Sequence, residues 1–551
     1  MRNLMKRVGM QSKELFASAR EMLLDAQRSR TFGSVALLGA LVAAAGSAPA
    51  AVLNLPAIPD KPQGEQFVGV RAPWRDYLIA VRAARQIDDP LARCLAWPDL
   101  PDIAWPAGHA AAHCHYHFAN APSPAQTKAL LDAGQVDVLE AQLAAVSAGH
   151  GQREEAERIH TFVHDVAKLP DGERDALTAQ WIEAAPDSAF ASMMRGHHYS
   201  TMGWAARGAA WASETTPAQI EAMEGHFVEA VQLYGRAIEL DPALTQAYIG
   251  LMEIAKAVSD RDLEAWAFAQ AQLAGPACAE VALSRMGALQ PRWGGSLQAM
   301  AQYAQTLAPN VEMYPLQANQ LAAPYVEAVR IEMAEDRYTQ DAADVIEDAV
   351  RMASNEDALA RAAQLSLHRS DGSSEDGIKG LALLLQRERF TQLTPWQARQ
   401  VASRLVRGEP EWAFATAADA VARSPDDAYG QYLLAAASYS IGRFELAEAH
   451  YQLARKDPRQ EQVVLRELVT MWMYDAGLPT EDAMAKASPY LDALLEKYPR
   501  DGRAHILDWS RRESLGQPIS RRWFENFLEV ADSNDPLQVQ AIENVKHALA
   551  E

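Results

Sequence analysis

Apolar residues return at helical spacing through most of the chain, and no polar–apolar alternation long enough for a half-buried strand interrupts them. Leu130, Leu131, Val138, Leu139, Leu143 and Val146 form such stripes, broken at Gly134. Ser123-Pro124 opens this region with a capping residue followed by proline at the first helical position. The pattern predicts an all-α protein. Residues 51–122 differ. They show little periodicity and many prolines (Pro56, Pro59, Pro62, Pro73, Pro90, Pro98, Pro101, Pro106), which predicts an irregular stretch with one helix over 73–86.

Residues 425–458, PDDAYGQYLLAAASYSIGRFELAEAHYQLARKDP, spell out a helix–turn–helix unit. Ala435, Ala447 and Ala454 stand where two helices must touch, and Gly442 falls in the turn between them. Phe444 and Tyr451 are expected to fill the wedge between neighbouring hairpins. Asp457-Pro458 stops the second helix, since proline lacks an amide donor and disfavours helix in the residue before it. One such hairpin cannot bury its own apolar face, so a stack of them sharing one core is expected. Traces recur around Ser188–Gly203 and Tyr234–Ala255. Pro458, Pro499 and Pro536 end successive units at spacings of 41 and 37 residues, longer than the tetratricopeptide period of about 34. The array is therefore degenerate. The polar segment 368–377, HRSDGSSEDG, marks a boundary, so the expected parts are 1–50, 51–122, 123–367 and 378–551.

The 551 residues carry a net charge of −21, unevenly placed. Residues 1–50 hold seven Lys/Arg against three acids, a net of +4, leaving −25 for the rest. So acidic a body repels phosphate backbones and disfavours nucleic acid as a partner. From Phe32 to Leu53 there is no charge, and the run reaches Ala48-Pro49-Ala50, a small-x-small cleavage pattern preceded by basic residues. Two readings stay open: a signal peptide cleaved after Ala50, with Met22 as an alternative start, or a retained anchor. Both predict export in a bacterium, to the periplasm or to the outer side of the inner membrane.

That compartment bears on the three cysteines. Cys94 and Cys114 bracket a Trp- and Pro-rich stretch and are expected to form a disulfide, leaving Cys278 buried in a helical segment.

GHAAAHCHYHF places His109, His113 and His117 four apart, on one face if the segment is helical, where imidazoles can share a transition metal. Locally no carboxylate completes such a site. His160 and His164 are also four apart, but Thr161 stands where a zinc protease needs its glutamate. RGHHYSTMGWAARGAAW, residues 195–211, combines aromatic area with cationic groups. Arg195, His198, Trp204 and Arg207 are the candidate partner contacts on a first helix. PRWGGS, residues 291–296, lacks the lysine of a phosphate loop and reads as a turn with Trp293 packed and Ser296 capping the next helix. No nucleophile elbow or nucleotide fingerprint is present, and no cofactor is expected.

Residues 425–458 resemble a tetratricopeptide repeat. WIEAAPDSAFA, HYSTMGWAARG, AIELDP and PRWGGS, within 90–310, are similar to an uncharacterised bacterial family of exported tetratricopeptide-like proteins, designated a domain of unknown function. The resemblance implies a right-handed superhelical array of helical hairpins and transfers no catalytic residue. The expectation is a non-catalytic exported scaffold that binds a protein or peptide partner in the cell envelope. The alternative is a metal-binding protein or enzyme built on His109, His113 and His117.

Overall fold

A computed structural model of the chain describes residue 59 and residues 66–118, 121–148, 158–210, 214–370 and 375–550. The export segment expected within 1–50, and Trp211, lie outside the described residues. Among those residues the secondary structure is 26 α-helices with short 3-10 and π turns and no strand. The all-α expectation holds. None of the helices is long and apolar enough to cross a membrane.

Capping chemistry sets where helices begin. Ser123, Thr216 and Thr394 each accept from the backbone amide three residues on, while the glutamine there reaches back to the cap amide, with proline at the first helical position. The chain divides into two compact units. The first runs through Thr391. In chain order its helices are α1 (Trp74–Ala84), α2 (Pro90–Ala96), α3 (His109–Phe118), α4 (Pro124–Asp132), α5 (Val136–Ala148) and α6 (Arg158–Ala167). Then come α7 (Asp171–Ala184), α8 (Ala189–Arg207), α9 (Pro217–Leu240), α10 (Thr245–Val258), α11 (Arg261–Ala274) and α12 (Ala279–Ala288). The unit closes with α13 (Leu297–Leu307), α14 (Ala318–Ala334), α15 (Gln340–Met352), α16 (Glu356–Arg369) and α17 (Glu375–Glu388). The polar segment 368–377 joins α16 to α17, which pack on one another, and the division falls after Thr391.

Successive helices pair as hairpins, α8 with α9 and α10 with α11, while α10 also packs on α8 and α12. First helices therefore stand beside first helices, the arrangement of a helical repeat. One core, containing Phe162, Trp181, Phe227, Tyr234 and Leu251, runs through these hairpins.

Residues 76–118 are more helical than their prolines suggest, holding α2 and α3 as well as most of α1. They lie back on the end of the same unit. Cys94 and Cys114 are joined in a disulfide with a Cα–Cα distance of 5.7 Å, and together with Trp105 they pack on Phe390. Trp105 Nε1 donates to the Val350 carbonyl at 2.7 Å, and Arg389 donates to the Cys94 carbonyl at 2.9 Å and pairs with Asp99. This return of the chain sets the histidine tract beside α16.

The second unit holds α18 (Pro395–Leu405), α19 (Pro410–Arg423), α20 (Ala428–Ser440), α21 (Phe444–Ala454), α22 (Pro458–Thr470), α23 (Thr480–Lys497), α24 (Gly502–Ser514), α25 (Arg521–Val530) and α26 (Pro536–Ala550). Its hairpin α20–α21 follows the reading of 425–458. Ala435, Ala447, Tyr451 and Ala454 are fully buried, and Gly442 turns at φ +76°. Asp457 caps α22 with Pro458 at its first position.

Candidate functional site: a groove on the first helices and a histidine–glutamate cluster

The side-by-side first helices of the first unit form a groove of about 460 Å³. His164 comes from α6, His197, Thr201 and Trp204 from α8, Glu253 and Lys256 from α10, and Glu280, Leu283 and Ser284 from α12. Spacings of three and four place these residues along one helix face. Leu283 is 47% exposed there, an apolar contact open to solvent. Thr201 donates to the His197 carbonyl at 2.9 Å and Ser284 to Glu253 at 2.7 Å, while Lys256 pairs with Glu253.

Burial shifts several groups in the wall, His197 and Glu280 among them. Burial lowers His197 to about 4, so its imidazole is neutral at pH 7. Burial, with a smaller contribution from the negative charge of Glu356, pushes Glu280 up to about 7. Glu280 Oε1 is buried without a hydrogen-bond partner among the described residues. A larger cleft of about 650 Å³ lies in the second unit between Arg399 and Arg459. In its wall Arg399 pairs with Asp427 and Arg459 with Asp457.

The four contacts expected from the sequence separate. Trp204 lines the groove, edge-on to Trp293 at 5.7 Å, with Lys256 and Arg207 over both rings. Arg207 is buried and donates to the carbonyls of Gly208 and Ala210, closing the end of α8. Arg195 pairs with Asp175 at 2.6 Å and lies over the Tyr199 ring. His198 is buried 3.2 Å from the same carboxylate. Three of the four are thus engaged with their own chain. Trp293 and the cap at Ser296 stand as the PRWGGS turn implies.

The histidine tract forms α3, and its members part company. His109 is buried. Its Nδ1 meets the Pro315 carbonyl at 2.7 Å, and its Nε2 accepts from the Ser354 amide at 2.9 Å. His113 and His117 instead turn Nε2 toward each other at 3.2 Å and toward Glu356 Oε1, at 3.4 and 2.6 Å. Burial lowers His109 to about 4 and His113 to about 3. Burial opposes the charge of Glu356, but the imidazoles of His113 and His117 beside it outweigh burial and hold the carboxyl well below its usual range.

The carboxylate that the local sequence lacks is thus Glu356, 239 positions beyond His117. As the residue after Asn355, the α16 cap, it reads in sequence as a first-turn acid complementing the helix dipole. The second histidine pair separates: His164 lines the groove, whereas His160 Nε2 lies 3.3 Å from Cys278 Sγ and 3.1 Å from Gln246 Nε2. Cys278 is buried, outside the disulfide. Glu253, Lys256 and Glu280 were not singled out by sequence, although their spacing on otherwise apolar helices was a usable signal.

Residues 124–266 match the family described as "Domain of unknown function (DUF4034)". The match covers the hairpins that carry His164, His197, Trp204, Glu253 and Lys256, and stops before α12. No curated protein matches the chain.

Proposed function

We propose that this chain is a non-catalytic helical scaffold that holds a protein or peptide partner in the groove of its first unit, working in the bacterial periplasm. One observation carries the reading. Helices α6, α8, α10 and α12 lay an exposed Leu283, the Trp204 ring and a Glu280 carboxyl with Oε1 lacking a hydrogen-bond partner along a single trough. An apolar anchor beside a buried polar atom is how a peptide site combines affinity with selection. A partner with an apolar side chain and a neighbouring hydrogen-bond donor satisfies both. The groove hydroxyls of Thr201 and Ser284 are spent on the wall, which favours recognition over chemistry. The Cys94–Cys114 disulfide supports an oxidising compartment.

The test places a photo-crosslinking residue at Leu283, with Val539 of the second unit, also exposed, as the control site. A discrete adduct at Leu283 that falls at least about tenfold on adding Trp204→Ala supports the groove. Equal labelling at Val539 overturns it. For the compartment, the mature protein is expected to begin at Ala51 or to be retained on the inner membrane. A cytoplasmic chain starting at Met1 would refute that part.

A further inference from the structure

We infer that His113, His117 and Glu356 form a binding site for one divalent transition-metal ion of the zinc type, independent of the groove reading. Two imidazoles and one carboxylate, with a further position left to solvent, are a donor set that suits zinc.

The geometry is close to what the ion requires. Bonds of about 2.0–2.1 Å in a tetrahedron separate ligand atoms by about 3.3 Å. His113 Nε2 lies 3.2 Å from His117 Nε2 and 3.4 Å from Glu356 Oε1, so two of the three edges are already of that length. The third, His117 Nε2 to Glu356 at 2.6 Å, is a hydrogen bond that opens when the ion takes the place of its proton. All three ligand atoms lie within 4.8 Å of one another.

The surroundings hold the lone pairs in place. The Ser354 amide donates to His109 Nε2, so that nitrogen carries no proton, and His109 Nδ1–H donates to the Pro315 carbonyl. Ser354 Oγ lies 2.8 Å from the same His109 Nε2 and 2.7 Å from His113 Nδ1. With the hydroxyl donating to His109, its oxygen accepts from His113 Nδ1–H. That leaves His113 Nε2 unprotonated and aimed at His117 and Glu356. A ligating histidine oriented by a hydrogen bond through its other nitrogen is the usual outer-sphere device of metal sites. Phe390 stacks on the His113 ring at 4.1 Å and fixes its plane. His113 is buried, whereas the side chains of His117 and Glu356 are 21% and 27% exposed, so the open side of the site meets solvent. His109, fully occupied by Pro315 and Ser354, orients and does not bind.

The experiment uses the full mature protein with its disulfide intact, stripped by a chelator and titrated with zinc by calorimetry and with cobalt(II) by visible absorption. One ion per chain is expected, with cobalt bands typical of four-coordination. Ser354→Ala should weaken zinc about 10- to 100-fold, the usual cost of losing an outer-sphere partner. Glu356→Gln and His117→Ala should each weaken it more. His115→Ala, on another face of the same helix, should change nothing. Glu356→Gln is nearly isosteric, so an unchanged far-UV spectrum is expected to separate lost binding from lost folding. The proposal is overturned if the wild-type chain binds no stoichiometric ion. It also fails if Glu356→Gln binds like wild type, or if His115→Ala costs as much as His117→Ala.

Discussion

The Tyr234 ring occupies the space that a side chain at Gly250 would need: a Cβ there would fall 2.2 Å from the ring Cζ. Tyr234 is the buried wedge between α8 and α10, and the missing side chain at Gly250 is what lets those first helices stand close enough to share a groove wall.

Gly250→Ala should therefore destabilise the first unit by about 1–3 kcal/mol, the range for overpacking a filled core. Gly203→Ala should behave alike, because its Cβ would meet Phe227 at 2.5 Å. Gly172→Ala, in α7 with nothing within 4 Å, should be neutral or stabilising. Denaturant midpoints of the three variants check this.

Glu280 should make stability depend on pH. Its folded value of about 7 lies above the ordinary 4.5, so the folded state holds the proton longer than the unfolded one. The contribution is fully present below about pH 4.5 and is lost as pH rises toward 7. Glu280→Gln should flatten that part of the profile, measured as the difference in denaturant midpoint between pH 5 and pH 8. An unchanged slope would show that the carboxyl is solvated in solution.

Asp508 should be a stability centre of the second unit. Burial opposes its charge, yet hydrogen bonds from Arg512, Arg511 and Trp523 hold its carboxyl below the usual range. Arg511 donates at 2.6 Å, Arg512 at 2.8 Å and Trp523 Nε1 at 3.0 Å. Asp508→Ala should cost about 2 kcal/mol or more by leaving these donors without their acceptor. The stabilisation is present above about pH 3.8 and disappears as pH falls below it. Trp523 fluorescence during unfolding reads the change locally.

Removing both cysteines, Cys94→Ser with Cys114→Ser, should destabilise the first unit by about 3 kcal/mol, as expected for a cross-link closing a loop of this length. Dithiothreitol should lower the wild-type midpoint similarly and leave the double variant unmoved.

Helix and turn were legible in the amino-acid sequence because their causes are local. A capping serine with proline beside it, alanines at contact spacing and a glycine needing positive φ act within a few residues, so α4 and the α20–α21 hairpin could be read directly. The four-residue spacing of His109, His113 and His117 likewise implied a shared helix face.

Which neighbours that face would meet was a matter for the tertiary structure alone. Only the return of residues 76–118 onto the end of the first unit brings Glu356 to His117 and gives His109 to Pro315 and Ser354. The groove depends in the same way on α6, α8, α10 and α12, which are apart in sequence, standing side by side. Periodicity states which side of a helix is buried. It carries no information about the distant segment that buries it, because that choice is made by the packing of the whole unit.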